Sequence, residues 1–373
     1  MEDESVMRLI IYDILNLTLP FSTSIKFIAI VFLAIIILFS IFLDSGSVVA
    51  KSQQTTSSSS SQGKVFVMYA ASLVKTFEDS LGPSFHNKTG YKYTGEARGA
   101  IQIANMIIDE QRTPDIFVSA GTVPIRKLMM NDSNNNSDAD SSQAHSLLAQ
   151  WLVKFASTEI VIAYSPNSHF HVNLDKAKRG EIPWYHVLSE PGFKFGRTDP
   201  ELDPKGYYMI IAAKLSNLYY HDPTIKQKIL GDDDRNPKQV FAEETLITTL
   251  ETGQLDAIAA YKHEAIPKGL PYITLPPQIN LANPTYSDFY KRASYTLQHT
   301  GQTIYGEPIY FAVTIPRTVK NSDGAISFVK FLLSADGQHI LQSQGLNHIQ
   351  KPIFEGNMDK IPSAIRNIMT LAE

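Results

Sequence analysis

Gly196-Arg197-Thr198-Asp199-Pro200-Glu201-Leu202-Asp203-Pro204-Lys205-Gly206-Tyr207 is the stretch from which the fold of this chain is read. A brief extended run, Phe193–Phe195, enters the loop at Gly196-Arg197, and a long helix is predicted from about Pro204 to Tyr220. Asp203 suits the N-cap, because a short carboxylate accepts from N–H groups that the first helical turn leaves unpaired. Pro204 suits the first helical position, where its missing N–H costs nothing. A strand that feeds a helix start through a loop is the unit that places ligands in an open α/β sheet. Such a start offers bare N–H donors and a partial positive charge, so several converging on a cleft hold an anion without a formal countercharge.

Two more helix starts of this kind lie upstream. Val65-Phe66-Val67-Met68-Tyr69-Ala70-Ala71-Ser72 runs from a strand into a helix, with Ser72 expected as N-cap. Gly95-Glu96-Ala97-Arg98-Gly99-Ala100 is the other, where small residues leave the backbone accessible. Each alone is also what an ordinary capped helix looks like. Around them, short apolar runs alternate with helical patterns, the signature of an α/β fold with largely parallel sheets. Strands are predicted at Val65–Tyr69, Tyr91–Thr94, Asp115–Ser119, Glu159–Tyr164, Ala257–Tyr261 and Pro308–Thr314. Helices are predicted at Leu73–Leu81, Ile101–Ile108, Val123–Met130, Trp184–Leu188, Gly324–Leu333 and Ala335–Gln344. In the first of these, Leu73, Phe77 and Leu81 recur at helical spacing on one face.

The chain has 373 residues and a formal net charge of -4. That length suits two domains, and the charge argues against a nucleic-acid footprint. There is no cysteine, which excludes disulfides, thiol nucleophiles, Cys-ligated zinc and iron–sulfur clusters. It also excludes a lipoprotein anchor, which needs a cysteine to carry the lipid. After a leader over 1–26, Phe27 to Leu43 is apolar except for Ser40, at the short end of what spans a bilayer. We read it as an uncleaved transmembrane anchor in preference to a cleaved signal, and 44–63, with the run Ser57–Ser61, as a flexible tether. The body starts at about Lys64. Asn131–Ser142 reads as a surface insertion, and Asn87, Asn131 and Asn135 stand in glycosylation-acceptor triplets. There is no G-x-S-x-G elbow, H-E-x-x-H or P-loop, so nothing in the sequence points to an enzyme. His169 and His171 would share a strand face, but two histidines do not make a metal site.

From Lys64 to the end the chain resembles the molybdate/tungstate-binding proteins of ABC importers. The stretches that carry the resemblance are Tyr69-Ala70-Ala71-Ser72-Leu73, Gly95–Ala100, Pro114–Ala120, the Asp-Pro-x-x-Asp-Pro-x-Gly-Tyr loop quoted above, and Leu255–Lys262. The resemblance implies a two-lobed type II periplasmic-binding-protein fold, with lobe 1 at 64–154 and 306–373, lobe 2 at 155–305, and the ligand cleft between them. It implies an oxyanion ligand, ABC permease and ATPase partners, no cofactor, a monomer, and an extracytoplasmic body held at the cell membrane. Binding of sulfate, phosphate or a sulfonate, or a sensor role without a transporter, is the alternative.

By position the resemblance assigns Ala71, Ser72, Gly99 and Ala100 to the first-lobe side of the ligand. It assigns Asp203, Lys205 and Tyr261 to the second-lobe side. Many members carry a serine near Gly99 or Ala100, and this chain has none; Arg98 adds a charge that would reach the anion. In tungstate-type members two carboxylates approach the metal of the anion. Asp203 suits one, the second falls near Ala260, which has no carboxylate, and Glu264 is a nearby substitute.

Overall fold

The computed structural model describes residues 63–130 and 147–370, all within one compact unit, Ser59–Glu373. The anchor and tether, and the insertion at Asn131–Ser142, lie outside the described residues. No helix among the described residues is long and apolar enough to cross a membrane.

Two sheets organise the chain. The first carries strands β1 (Lys64–Ala70), β2 (Lys92–Arg98), β3 (Ile116–Ala120) and β4 (Trp151–Ser157). The second carries β5 (Ile160–Tyr164), β6 (Phe195–Thr198), β7 (Val240–Phe241), β8 (Ala257–Tyr261) and β9 (Tyr272–Thr274). A separate hairpin pairs β10 (Ser294–Thr296) with β11 (Thr303–Tyr305), and β12 (Tyr310–Thr314) and β13 (Asn347–Gly356) return to the first sheet. The strand orders are β13-β4-β12-β3-β1-β2 and β7-β6-β8-β5-β9. Each sheet has its own helices, which makes a two-lobed α/β fold. The chain passes between the sheets twice, after Ser157 and before Tyr310, and the two passages lie side by side, with Thr158 N donating to Ile309 O at 3.1 Å.

The central strands are apolar because both faces are covered, whereas β2, at the edge of its sheet, is polar and only half-buried. β3, β5 and β8 are buried along their whole length, as parallel and mixed central strands are when helices pack on both faces. The three expected helix starts each follow a strand end. Helix α1 runs through Ala71–Leu73, Val74–Thr76, Phe77–Leu81 and Gly82–Thr89, opening as a 3-10 turn and passing through a π turn. Helix α2 spans Ala100–Ile108 with Gly99 as N-cap. Helix α3 spans Pro204–Tyr219. Twelve of its sixteen residues are buried, so it is a core helix with no solvent face rather than an amphipathic one. Further on, α4 spans Glu243–Glu251 and α5 spans Lys262–Ala265.

Several expectations change. Gly95–Arg98 was expected as loop and helix start, but parallel pairing with β1 continues to Ala70↔Arg98, so the strand runs up to the residue before Gly99. The strand near Phe193 starts two residues later and ends at Thr198. The hairpin, β13 and α4 carry no strong apolar period and were not predicted, and β4, an apolar run interrupted only by Lys154, was passed over. Gly206 explains why the Asp-Pro loop needs a glycine. A Cβ there would stand 2.6 Å from Thr198 O and from Pro200 N, so the loop folds directly against the first turn of α3.

Candidate functional site

The starts of α1 and α2 belong to the first lobe, and those of α3, α4 and α5 to the second. They meet across one cleft. Asp203 caps α3 as its sequence requires: Oδ1 accepts from Lys205 N at 3.0 Å and from Thr198 Oγ1 at 2.8 Å. That bond holds its other oxygen, Oδ2, inward. Oδ2 receives no N–H or O–H donor among the described residues. The buried carboxyl of Glu243, the first residue of α4, lies near enough for the two groups to act on each other's charge. Two carboxyls so placed cannot both be ionised without strong repulsion. Burial, reinforced by the mutual charge, pushes Glu243 well above the usual carboxylate range. Burial also raises Asp203, against the opposing pull of Lys205.

Lys205 is 1% exposed, and its ammonium is shared. Nζ donates to Glu264 Oε1 at 2.8 Å and Oε2 at 3.0 Å, lies 3.5 Å from Glu243 Oε1, and stands 5.4 Å from the centroid of the Tyr261 ring. Burial alone would lower its pKa, but the Glu264, Glu243 and Asp203 carboxyls outweigh it and hold it above the ordinary lysine value. Glu264 also accepts from Tyr261 N at 2.7 Å, so it caps α5. Tyr261 is fully buried, and its hydroxyl has no partner among the described residues. Burial, then Asp203, pushes that phenol well above 10.

Across the cleft, Ser72 N donates to Glu243 Oε1 at 3.0 Å. The Ser72 hydroxyl is buried with no partner among the described residues. It does not cap α1. Ala70 precedes the first turn, and Ser72 sits inside Ala71–Leu73, so the hydroxyl is available to the cleft. At α2, Ile101 N and Gln102 N both donate to Leu202 O of the second lobe at 3.1 Å. Gly99 allows this approach. A Cβ at Gly99 would lie 2.6 Å from Leu202 O and 3.4 Å from Asp203 Cβ.

The structure therefore brings Ser72, Gly99, Asp203, Lys205 and Tyr261 together where the lobes meet, with Ala71 and Ala100 next to Ser72 and Gly99 in the same helix starts. Two expected residues are engaged in other contacts. Arg98, at the end of β2, turns outward. It donates to its neighbour's carbonyl, Ala97 O, at 2.8 Å and lies 3.7 Å from Glu96, with its side chain 41% exposed. Glu264 is spent on Lys205 and the start of α5, and Ala260 is buried without polar atoms. The residue that the sequence reading missed is Glu243. An acid in the first turn of a helix is ordinary surface chemistry, and only the fold puts it against Ser72 and Asp203.

What the cleft offers is a mixed set. Serine and tyrosine hydroxyls and helix-start N–H groups suit anionic oxygens, while a carboxyl pair from the second lobe stands opposite them. The family of bacterial extracellular solute-binding proteins matches residues 65–347 of the chain. A solute-binding protein of Petrotoga mobilis is 33% identical over 316 residues, covering 82% of this chain and 90% of that one. The molybdate/tungstate-binding protein WtpA of Pyrococcus abyssi is 31% identical over 333 residues, covering 83% and 91%. The fold is also similar to that of the Azotobacter vinelandii periplasmic molybdate-binding protein, at 15% identity and a TM-score of 0.49, over 76% of this chain and 98% of that one. The family match spans both lobes and every helix start that lines the cleft, and the chain belongs to the bacterial extracellular solute-binding proteins.

Proposed function

We propose that the chain captures molybdate or tungstate in this cleft and delivers it to the permease and ATPase of an ABC importer. The observation that carries the reading is the second-lobe carboxyl of Asp203, buried with one oxygen free of any donor among the described residues, beside the hydroxyls of Ser72 and Tyr261, which have no partner among those residues either. Sulfate gains nothing from a carboxylate, because sulfur accepts no extra oxygen ligand, and like charges repel in a partly dry site. Molybdenum and tungsten are larger and accept a carboxylate oxygen, so the same group becomes a ligand. The relative in Pyrococcus abyssi carries the molybdate/tungstate name at 31% identity, which supports the assignment.

In this reading the lobe boundaries, expected at 154/155 and 305/306, fall after Ser157 and before Tyr310, which keeps β4 whole in lobe 1. The body is a monomer outside the cytoplasm, held by the apolar segment 27–43 through the tether 44–63. Ala71, Ser72, Gly99 and Ala100 bind from one side, and Asp203, Lys205 and Tyr261 from the other. Lys205 acts by neutralising the carboxyls rather than by touching the anion with a spare donor. The test is a thermal-shift screen against molybdate, tungstate, sulfate, phosphate, nitrate and a sulfonate. Molybdate and tungstate should raise the melting temperature most. A larger shift with sulfate or phosphate would replace this ligand assignment.

A further inference from the structure

Glu243 stands on a donor that the oxyanion needs. We propose that Glu243 is a tethered stand-in for the ligand: its carboxyl oxygen holds the Ser72 N–H across the cleft, and an incoming oxyanion binds by displacing it, so Glu243 sets how strong an anion must be to occupy the site. This rests on the oxyanion reading above.

The contact itself is the argument. Ser72 N–H belongs to the opening turn of α1, and the oxygen on it at 3.0 Å comes from the other lobe, 171 residues further along the chain. A carboxyl oxygen on a helix-start N–H is the interaction a bound oxyanion would make there. The second oxygen of Glu243 receives no donor among the described residues, so the side chain is held through its first oxygen alone, on Ser72 N and 3.5 Å from Lys205 Nζ. The Tyr261 hydroxyl, buried in the same cluster, also lacks a partner among the described residues, which points to a ligand rather than a finished polar core.

The comparison with α2 sharpens the role. Its donors, Ile101 N and Gln102 N, are covered by Leu202 O, which is backbone and cannot leave without moving the loop. Glu243 is a side chain with rotatable bonds, and it can swing away while α4 stays in place. Of the two oxygens that the second lobe lays on first-lobe helix starts, one is therefore exchangeable. A weak or singly charged anion gains too little to displace it, whereas a dianion with several acceptor oxygens satisfies Ser72 N–H, Ser72 Oγ and Tyr261 OH together.

The test is calorimetric titration of the full-length chain with sodium tungstate and, separately, sodium sulfate, for wild type, Glu243→Ala and Glu243→Gln. Removing the competitor should tighten both anions in Glu243→Ala, by about tenfold or more, the worth of one hydrogen bond to a charged group. Glu243→Gln, which keeps an acceptor oxygen, should show a smaller gain. Thermal melts of the ligand-free variants establish that they fold, and if Glu243→Ala does not, Glu243→Gln decides alone. Loss of tungstate affinity with sulfate unchanged would overturn the proposal and make Glu243 a direct ligand of the anion. Unchanged affinity for both would overturn it and leave Glu243 a structural contact. If wild type and variants bind neither anion, the oxyanion reading falls and takes this with it; if wild type binds and the variants bind no tighter, only this inference falls.

Discussion

Gly99→Ala tests the cleft geometry with one methyl group. The backbone at Gly99 has φ -56°, ψ 133°, which alanine adopts freely, so conformational strain is not the issue. Space is. The new Cβ would sit 2.6 Å from Leu202 O and 3.2 Å from Leu202 C, while ordinary contact begins at 3.4 Å, so the two lobes must part by about 0.8 Å here. Leu202 has little freedom to retreat, because the loop is tied on both sides by Leu202 N and Asp203 N donating to Asp199 O at 3.1 and 2.9 Å. Overpacking of this kind costs roughly 1–3 kcal/mol, and here it falls on the approach of the lobes rather than on either core. The bonds from Ile101 N and Gln102 N to Leu202 O would lengthen with it. Affinity for tungstate should drop about five- to a hundredfold. The ligand-free melt should change little, because exchanging glycine for alanine at an N-cap costs under about 1 kcal/mol. Calorimetry on wild type and Gly99→Ala measures the first, and differential scanning calorimetry the second. Wild-type affinity in a folded Gly99→Ala chain would refute the claim that the bound form needs this close approach.

Two further outcomes follow from the same residues. Asp203→Asn keeps a capping oxygen for Lys205 N but removes the charge, so it should lose about tenfold or more of its tungstate affinity while sulfate binding holds or improves; parallel losses for both anions in a competition titration would remove the coordination role. His263, hydrogen-bonded to Thr158 Oγ1 at 3.1 Å and packed on Phe311, is pushed down from 6.5 to about 4, chiefly by burial. The unfolded chain then binds a proton that the folded chain refuses. Its contribution to stability is therefore present above pH 6.5 and is lost as pH falls toward 4, by up to about 3 kcal/mol. Denaturant titrations at stepped pH should show this slope in wild type and a flatter one in His263→Phe; equal slopes would show that His263 does not titrate this way.

The helix starts were legible because their chemistry is local. Asp203 and Pro204 specify a cap and a first turn within two residues, and α3 begins there. The apolar runs at Val65–Tyr69 and Ala257–Tyr261 were legible because central strands need covering on both faces. What failed was decided at a distance. Arg98 was placed near the anion by its neighbours Gly99 and Ala100, yet pairing with β1 keeps it in a strand, and it turns outward beside Glu96. Ser72 looked like a cap because serine commonly caps, but the cap position falls at Ala70, two residues earlier. Glu264 lies four residues past Ala260 and seemed a substitute carboxylate, yet a buried ammonium claims both its oxygens. Glu243 had no local signal at all, since its partners are Ser72 and Asp203, both remote in sequence.

The central claim is that this cleft prefers an oxyanion whose central atom accepts a carboxylate oxygen. Competition calorimetry tests it most directly: the chain is titrated with tungstate alone, then with tungstate in the presence of excess sulfate. The account predicts saturable binding of one tungstate per chain that excess sulfate barely weakens. Displacement of tungstate by an equal concentration of sulfate would contradict it.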